Sequence, residues 1–139
     1  MELITRDQVV AVARSWINTP YRHQGRIKGE AVDCGGLIIC VCKELGLTEF
    51  DFTNYARHPD GSLDDMCLEH MEFVPPAEAK AGDVVLFRYE KLNSHMAMMT
   101  GPDTIIHAFM ARRKVVEHRI DAQWRASMNA AYHIPGVEM

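Results

Sequence analysis

Cys34, His95 and His107 are the residues of this 139-residue chain whose types and placement suit nucleophilic catalysis. A thiol attacks a carbonyl only as its thiolate, and an imidazole within reach can take the proton. Cys34 stands in Val32-Asp33-Cys34-Gly35-Gly36-Leu37, at the predicted start of a helix. There the positive end of the helix dipole and the free N–H groups are expected to lower the thiol pKa. The paired glycines leave the backbone open to a substrate carbonyl. Packing alone is the competing explanation, since free cysteine is among the most buried residue types. Asp33 reads as the cap of the helix rather than as a chemical group.

The histidines strengthen the catalytic reading. His95–Thr100 and Thr104–Phe109 flank Gly101-Pro102-Asp103 and read as a hairpin. If it turns symmetrically about Pro102, residues whose numbers sum to about 204 face each other. His95 then opposes Phe109, His107 opposes Ala97, and the two histidines are diagonal neighbours on one face. Diagonal pairs lie roughly 7–8 Å apart at Cα, within reach of long side chains. One imidazole can accept the thiol proton while the other orients it, the part a carboxylate plays in a serine-protease triad.

The surrounding elements follow from periodicity. Thr5 and Gln8 have capping-box spacing ahead of a helix from Arg6 to about Ile17, with Val9, Val12, Ala13, Trp16 and Ile17 as its buried stripe and Pro20 closing it. A loop rich in glycine and basic residues, Arg22–Glu30, leads to the helix Cys34–Leu45, which Gly46 stops. Ser62–Met71 is a short helix. Strands follow at Asp83–Tyr89, in the hairpin, at Lys114–Ile120 and at Ala130–Ile134, with Asp121 capping a short helix that contains Trp124. Helices first and an antiparallel sheet afterwards is an α+β pattern.

Thr19-Pro20-Tyr21, Asp33-Cys34-Gly35-Gly36-Leu37, Ala81-Gly82-Asp83-Val84-Val85-Leu86-Phe87, His95 and Gly101 through Ile106-His107-Ala108 together resemble the NlpC-type family of cell-wall cysteine peptidases. The resemblance spans Trp16 to Ala108. It implies a papain-like core, with N-terminal helices packed on a mostly antiparallel sheet that carries both histidines. Residue by residue, it implies Cys34 as nucleophile, His95 as general base and His107 as the residue that orients it. Tyr21 matches a tyrosine whose hydroxyl lies near the nucleophile, and the backbone N–H of Cys34 is a natural oxyanion donor. The implied substrate is an amide bond of a peptidoglycan stem peptide, commonly between D-γ-glutamyl and a diamino acid. Two departures put substrate identity in question. Gly35 replaces the family's usual Ser, and Arg22-His23-Gln24-Gly25-Arg26 replaces an aromatic-Gly-Gly. The Tyr21-Arg22-His23-Gln24 variant looks most like the branch found in tailed phages and prophages, which makes tail proteins expected partners.

Composition bounds these readings. The whole chain, 1–139, is expected to form one catalytic domain, since its length leaves no room for a second core. At 47% hydrophobic residues it can bury roughly two thirds of its unfolded surface without disulfides or a metal. A net charge of −4 disfavours nucleic acid as a partner. The longest apolar run, Gly35–Cys42, is too short for a membrane span. The N-terminus lacks the basic and apolar segments of a signal peptide, so synthesis in the cytoplasm is expected, with incorporation into a phage tail as the route outward. Cys40, Cys42 and Cys67 lack zinc spacing and are expected as reduced thiols, and neither metal nor cofactor is expected. Arg22, His23, Arg26 and Lys28 form either a solvated loop or a site for substrate carboxylates. Two other functions fit the same residues: a structural tail protein with a degenerate peptidase fold, and a cysteine amidase or thioesterase acting on a non-wall substrate.

Overall fold

A computed structural model describes residues 2–51, 60–89 and 92–139. Helix α1 spans Arg6–Arg14 and opens on a complete capping box: Thr5 accepts from the Gln8 N–H and the Gln8 side chain accepts from the Thr5 N–H. Such a cap contributes about 1 kcal/mol. The helix ends one turn before the predicted Ile17. There the Ser15 hydroxyl bonds back to the Val12 carbonyl, and Asn18 turns the chain at a φ of 75°. Trp16 still reaches the core, but Ile17, expected in the buried stripe, is 39% exposed.

The segment predicted as a loop contains a small hairpin, β1 (Arg26–Ile27) and β2 (Ala31–Val32). Helix α2, Cys34–Glu44, follows directly and is buried from Gly35 through Cys42. Then come α3 (Ser62–His70), β3 (Glu72–Val74), β4 (Val84–Tyr89), β5 (Leu92–Gly101), β6 (Thr104–Phe109), β7 (Lys114–Arg119), α4 (Ala122–Ser127) and β8 (Met128–His133). The main sheet is antiparallel throughout, in the order β3-β8-β4-β5-β6-β7. This is the expected α+β architecture.

Alternation divides the sheet into two faces. Val84, Leu86, Met96, Met98, Ile106 and Ala108 share a core with Leu37, Ile38 and Val41 of α2. Val85, Phe87, Ala97, Met99 and Ile105 form the opposite face, against which Trp124 of α4 packs. The methionines Met96, Met98 and Met99 are core filler, each at most 1% exposed. Arg6 anchors α1 to the start of β4, with its guanidinium 2.8 Å from the buried Asp83 carboxylate. No described helix is long and apolar enough to cross a membrane.

Candidate active site

Asp33 builds the N-terminus of α2. Its backbone is extended, and its carboxylate accepts from the Gly36 N–H at 2.8 Å and from the Gln24 N–H at 2.6 Å. Arg26 lies 3.3 Å from the same carboxylate while its Nε donates to Asp51 at 3.0 Å. The expected cap is thus also the clamp that folds the basic loop onto the helix. Arg26 belongs to this clamp, and neither the solvated loop nor the substrate-carboxylate reading describes it. Lys28 likewise bonds Glu44 at 3.0 Å and lies over the Trp16 ring.

Cys34, the first residue of α2, is half-buried, whereas Cys40, Cys42 and Cys67 are buried. The backbone N–H groups of Met96, Gly35 and Cys34 itself face its sulfur and favour the thiolate. They do not prevail. Burial, reinforced by the Asp33 carboxylate, pushes the Cys34 thiol up to about 11. The expected lowering of this pKa is therefore not found: desolvation of the anion outweighs the helix terminus.

The hairpin register is the expected one at Met98–Ile106 and Met99–Ile105 and shifts by one residue before Gly101–Thr104, while the expected His95–Phe109 and Ala97–His107 pairs are not among the ladder pairs of the described residues. His95 and His107 consequently share a face, and His95 Nε2 lies 2.5 Å from His107 Nδ1. A β-bulge falls just before His95: β4 pairs Phe87 with His95 but Arg88 with Asn93, leaving Ser94 as the extra residue. Bulges sharpen local twist and re-aim neighbouring side chains. The Cys34 sulfur meets the strand at the Met96 N–H, the residue after His95. No hydrogen bond joins Cys34 to His95 directly among the described residues. Such bonds are commonly long in unliganded sites and tighten with substrate. Tyr21 lies alongside this region, bridged to Val32 two residues before Cys34, with its N–H donating to the Arg113 carbonyl.

The row of histidines continues beyond the expected pair. His107 Nε2 lies 2.8 Å from His118 Nε2 on β7, and His118 Nδ1 lies 2.8 Å from the Arg119 carbonyl oxygen. His118 was readable as facing the same way as Val116, but placing it beside His107 requires the β6–β7 register, His107 opposite Val116. Trp124 covers all three rings at centroid distances of 5.9, 5.2 and 5.6 Å. Burial, then His118, pushes His95 down to about 4. Burial, then His95 and His118, pushes His107 down to about 2. Among the described residues no cluster of side chains could hold a metal ion.

The NlpC/P60 family model matches residues 18–132, a span holding every residue of this site. The chain belongs to the NlpC/P60 family. A comparison with curated protein sequences finds no match. Among solved structures, the NlpC/P60 domain of the peptidoglycan hydrolase SagA is 23% identical, with a TM-score of 0.68 over 93% of this chain and 98% of that one. An NlpC/P60 family protein from Bacillus cereus is 20% identical, with a TM-score of 0.74 over 95% of this chain but 41% of that one. The peptidoglycan hydrolase RipB of Mycobacterium tuberculosis is 22% identical, with a TM-score of 0.65, over 93% of this chain and 64% of that one. This NlpC/P60 chain therefore spans a whole domain of one relative and about half of others, and it shares their papain-like fold.

Against that family the departure at Gly35 is not steric. A Cβ there would meet only Leu63 Cδ2, at 3.8 Å. Gly36 differs: a Cβ would come within 2.8 Å of the Gly25 carbonyl and 2.9 Å of Asp33 Oδ1, inside the clamp.

Proposed function

We propose that this NlpC/P60 domain is a cysteine peptidase that hydrolyses amide bonds of peptidoglycan stem peptides, with the D-γ-glutamyl–diamino acid bond as its target. The observation that carries the reading is the joint placement of a half-buried thiol at a helix N-terminus and a paired histidine at the adjoining strand. Cys34 gives its proton to His95 as the sulfur attacks the amide carbonyl. His107 holds the His95 ring in place. Burial disfavours both the thiolate of Cys34 and the imidazolium of His95, which supports a proton transfer that accompanies attack. The backbone N–H groups of Cys34 and Gly35, which face the sulfur, would receive the oxyanion, and the family resemblance assigns the Tyr21 hydroxyl to the same task. Collapse expels the amine, protonated by His95, and leaves a thioester on Cys34. Water, deprotonated by His95, then releases the carboxylate.

The test is a soluble stem-peptide fragment incubated with wild type and with Cys34→Ser. Release of the diamino acid portion by wild type alone supports the reading. A second reading, an amidase or thioesterase for non-wall acyl groups, draws on two observations: Gly35 lacks the usual hydroxyl, and Arg26 and Lys28 are engaged within the chain. Preference for acyl thioesters over stem peptides would favour it. We infer from Tyr21-Arg22-His23-Gln24 that the domain acts as part of a phage tail, where attachment would raise its local concentration at the wall. Probing purified virions or induced prophage particles for this polypeptide tests that, and its absence from them counts against it.

A further inference from the structure

We propose that His118 is a positioning residue that sets the tautomers of the whole histidine row, so that His95 presents a bare Nδ1 for the Cys34 proton. This rests on the reading of Cys34 and His95 as nucleophile and base.

The Arg119 carbonyl oxygen can only accept, so His118 Nδ1, 2.8 Å away, carries a hydrogen and donates it. A neutral imidazole has one N–H, which leaves His118 Nε2 bare. His107 Nε2, 2.8 Å from that nitrogen, must then donate, which leaves His107 Nδ1 bare. His95 Nε2 donates to His107 Nδ1 in turn, and the remaining lone pair falls on His95 Nδ1. Each bond fixes the next, and the order is set at a backbone carbonyl on β7, two strands from His95. The low pKa values of His95 and His107 keep both rings neutral near pH 7, as the sequence of bonds requires.

A donor in place of the His118 lone pair would reverse the whole row. A group at 118 that only donates forces His107 Nε2 to accept, so His107 Nδ1 carries the hydrogen and His95 Nε2 must accept as well. The hydrogen of His95 then sits on Nδ1, and the base is lost although no ring has moved. His118 is only half-buried, so the position tolerates other side chains. Trp124 on α4 supplies a wall, not a hydrogen-bonding partner, to the row.

Three substitutions separate this role from mere packing. His118→Gln offers a carbonyl oxygen to the His107 N–H and should keep turnover within about threefold, while His118→Lys offers only donors and should lose about tenfold or more in kcat with KM little changed, because a mis-set tautomer is costly in triads of this logic. His118→Leu, which removes the acceptor without adding a donor, should fall between them. Equal losses in the Gln and Lys variants, or none in either, would overturn the proposal.

The direct reading is the ¹⁵N NMR tautomer pattern of the resting wild type: hydrogen on Nε2 of His95, on Nε2 of His107 and on Nδ1 of His118. Finding it on Nδ1 of His95 would also overturn the proposal. That spectrum needs no substrate, so it decides the matter even if the domain fails on stem peptides, a failure that counts instead against the function proposed above.

Discussion

A thiol held near 11 and an imidazole held near 4 both carry no charge near neutral pH. Exposure rather than ionisation therefore decides which cysteine reacts first. Cys34 should label fastest with iodoacetamide, because the other three thiols are buried; peptide mapping after partial labelling checks it. Asp33 is one cause of the raised thiol pKa, so Asp33→Asn should speed labelling of Cys34 at any pH below about 11. The same change weakens the Arg26 clamp and should cost about 1–3 kcal/mol in urea unfolding. Faster labelling together with lower stability is the expected signature. At the histidines, His95→Ala should lower the rate by roughly 10²–10⁴-fold, the usual share of a general base. His107→Ala should be milder, and His107→Asn or His107→Gln should recover part of its loss by supplying an acceptor. Steady-state kinetics of the purified variants reads all of these, and a worse result for His107→Ala than for His95→Ala would reverse the two roles.

At the scale of elements, the start of α2 is the most constrained part of the chain. Gly36 lies where a side chain would enter the bonds among Gly25, Arg26 and Asp33, whereas Gly35 faces Leu63 with room to spare. Gly36→Ala should therefore destabilise by about 1–3 kcal/mol, the usual cost of overpacking, while Gly35→Ser stays near wild type in urea midpoint. Much of this architecture was legible in the residues. The capping box at Thr5, the cap at Asp33 and the hairpin register about Pro102 are patterns of local spacing, and local spacing survives folding. What was hidden depended on contacts far apart in the chain. The β1–β2 hairpin exists because Arg26 finds Asp33 and Asp51. His118 joins the row only through the pairing of a third strand. The raised thiol pKa depends on how deeply α2 sinks into the core, which no window of sequence reports.

For the whole molecule, the shifted groups set a window of stability in pH. His95 and His107 are neutral when folded down to about 4 and about 2, but bind protons near 6.5 when unfolded. Between pH 6.5 and 4 the unfolded chain therefore holds more protons, and stability falls as pH falls, by about 1.4 kcal/mol per pH unit for each histidine at full effect. Cys34, Cys42 and Cys67 are raised to about 11, 12 and 12 from 9, so stability should also fall as pH climbs above 9. Urea unfolding from acid to alkaline pH should show stability level between about 6.5 and 9 and falling on either side, with a shallower acid slope in His107→Asn. Amide cleavage by the proposed route requires a thioester on Cys34 during turnover. Its most direct test is intact-protein mass spectrometry of the domain quenched during turnover of a γ-glutamyl–diamino acid peptide, with the adduct mapped by proteolysis. An acyl mass on the peptide containing Cys34, absent from Cys34→Ala, is the result expected. Cleavage that continues undiminished in Cys34→Ala, or an adduct on another residue, would contradict it.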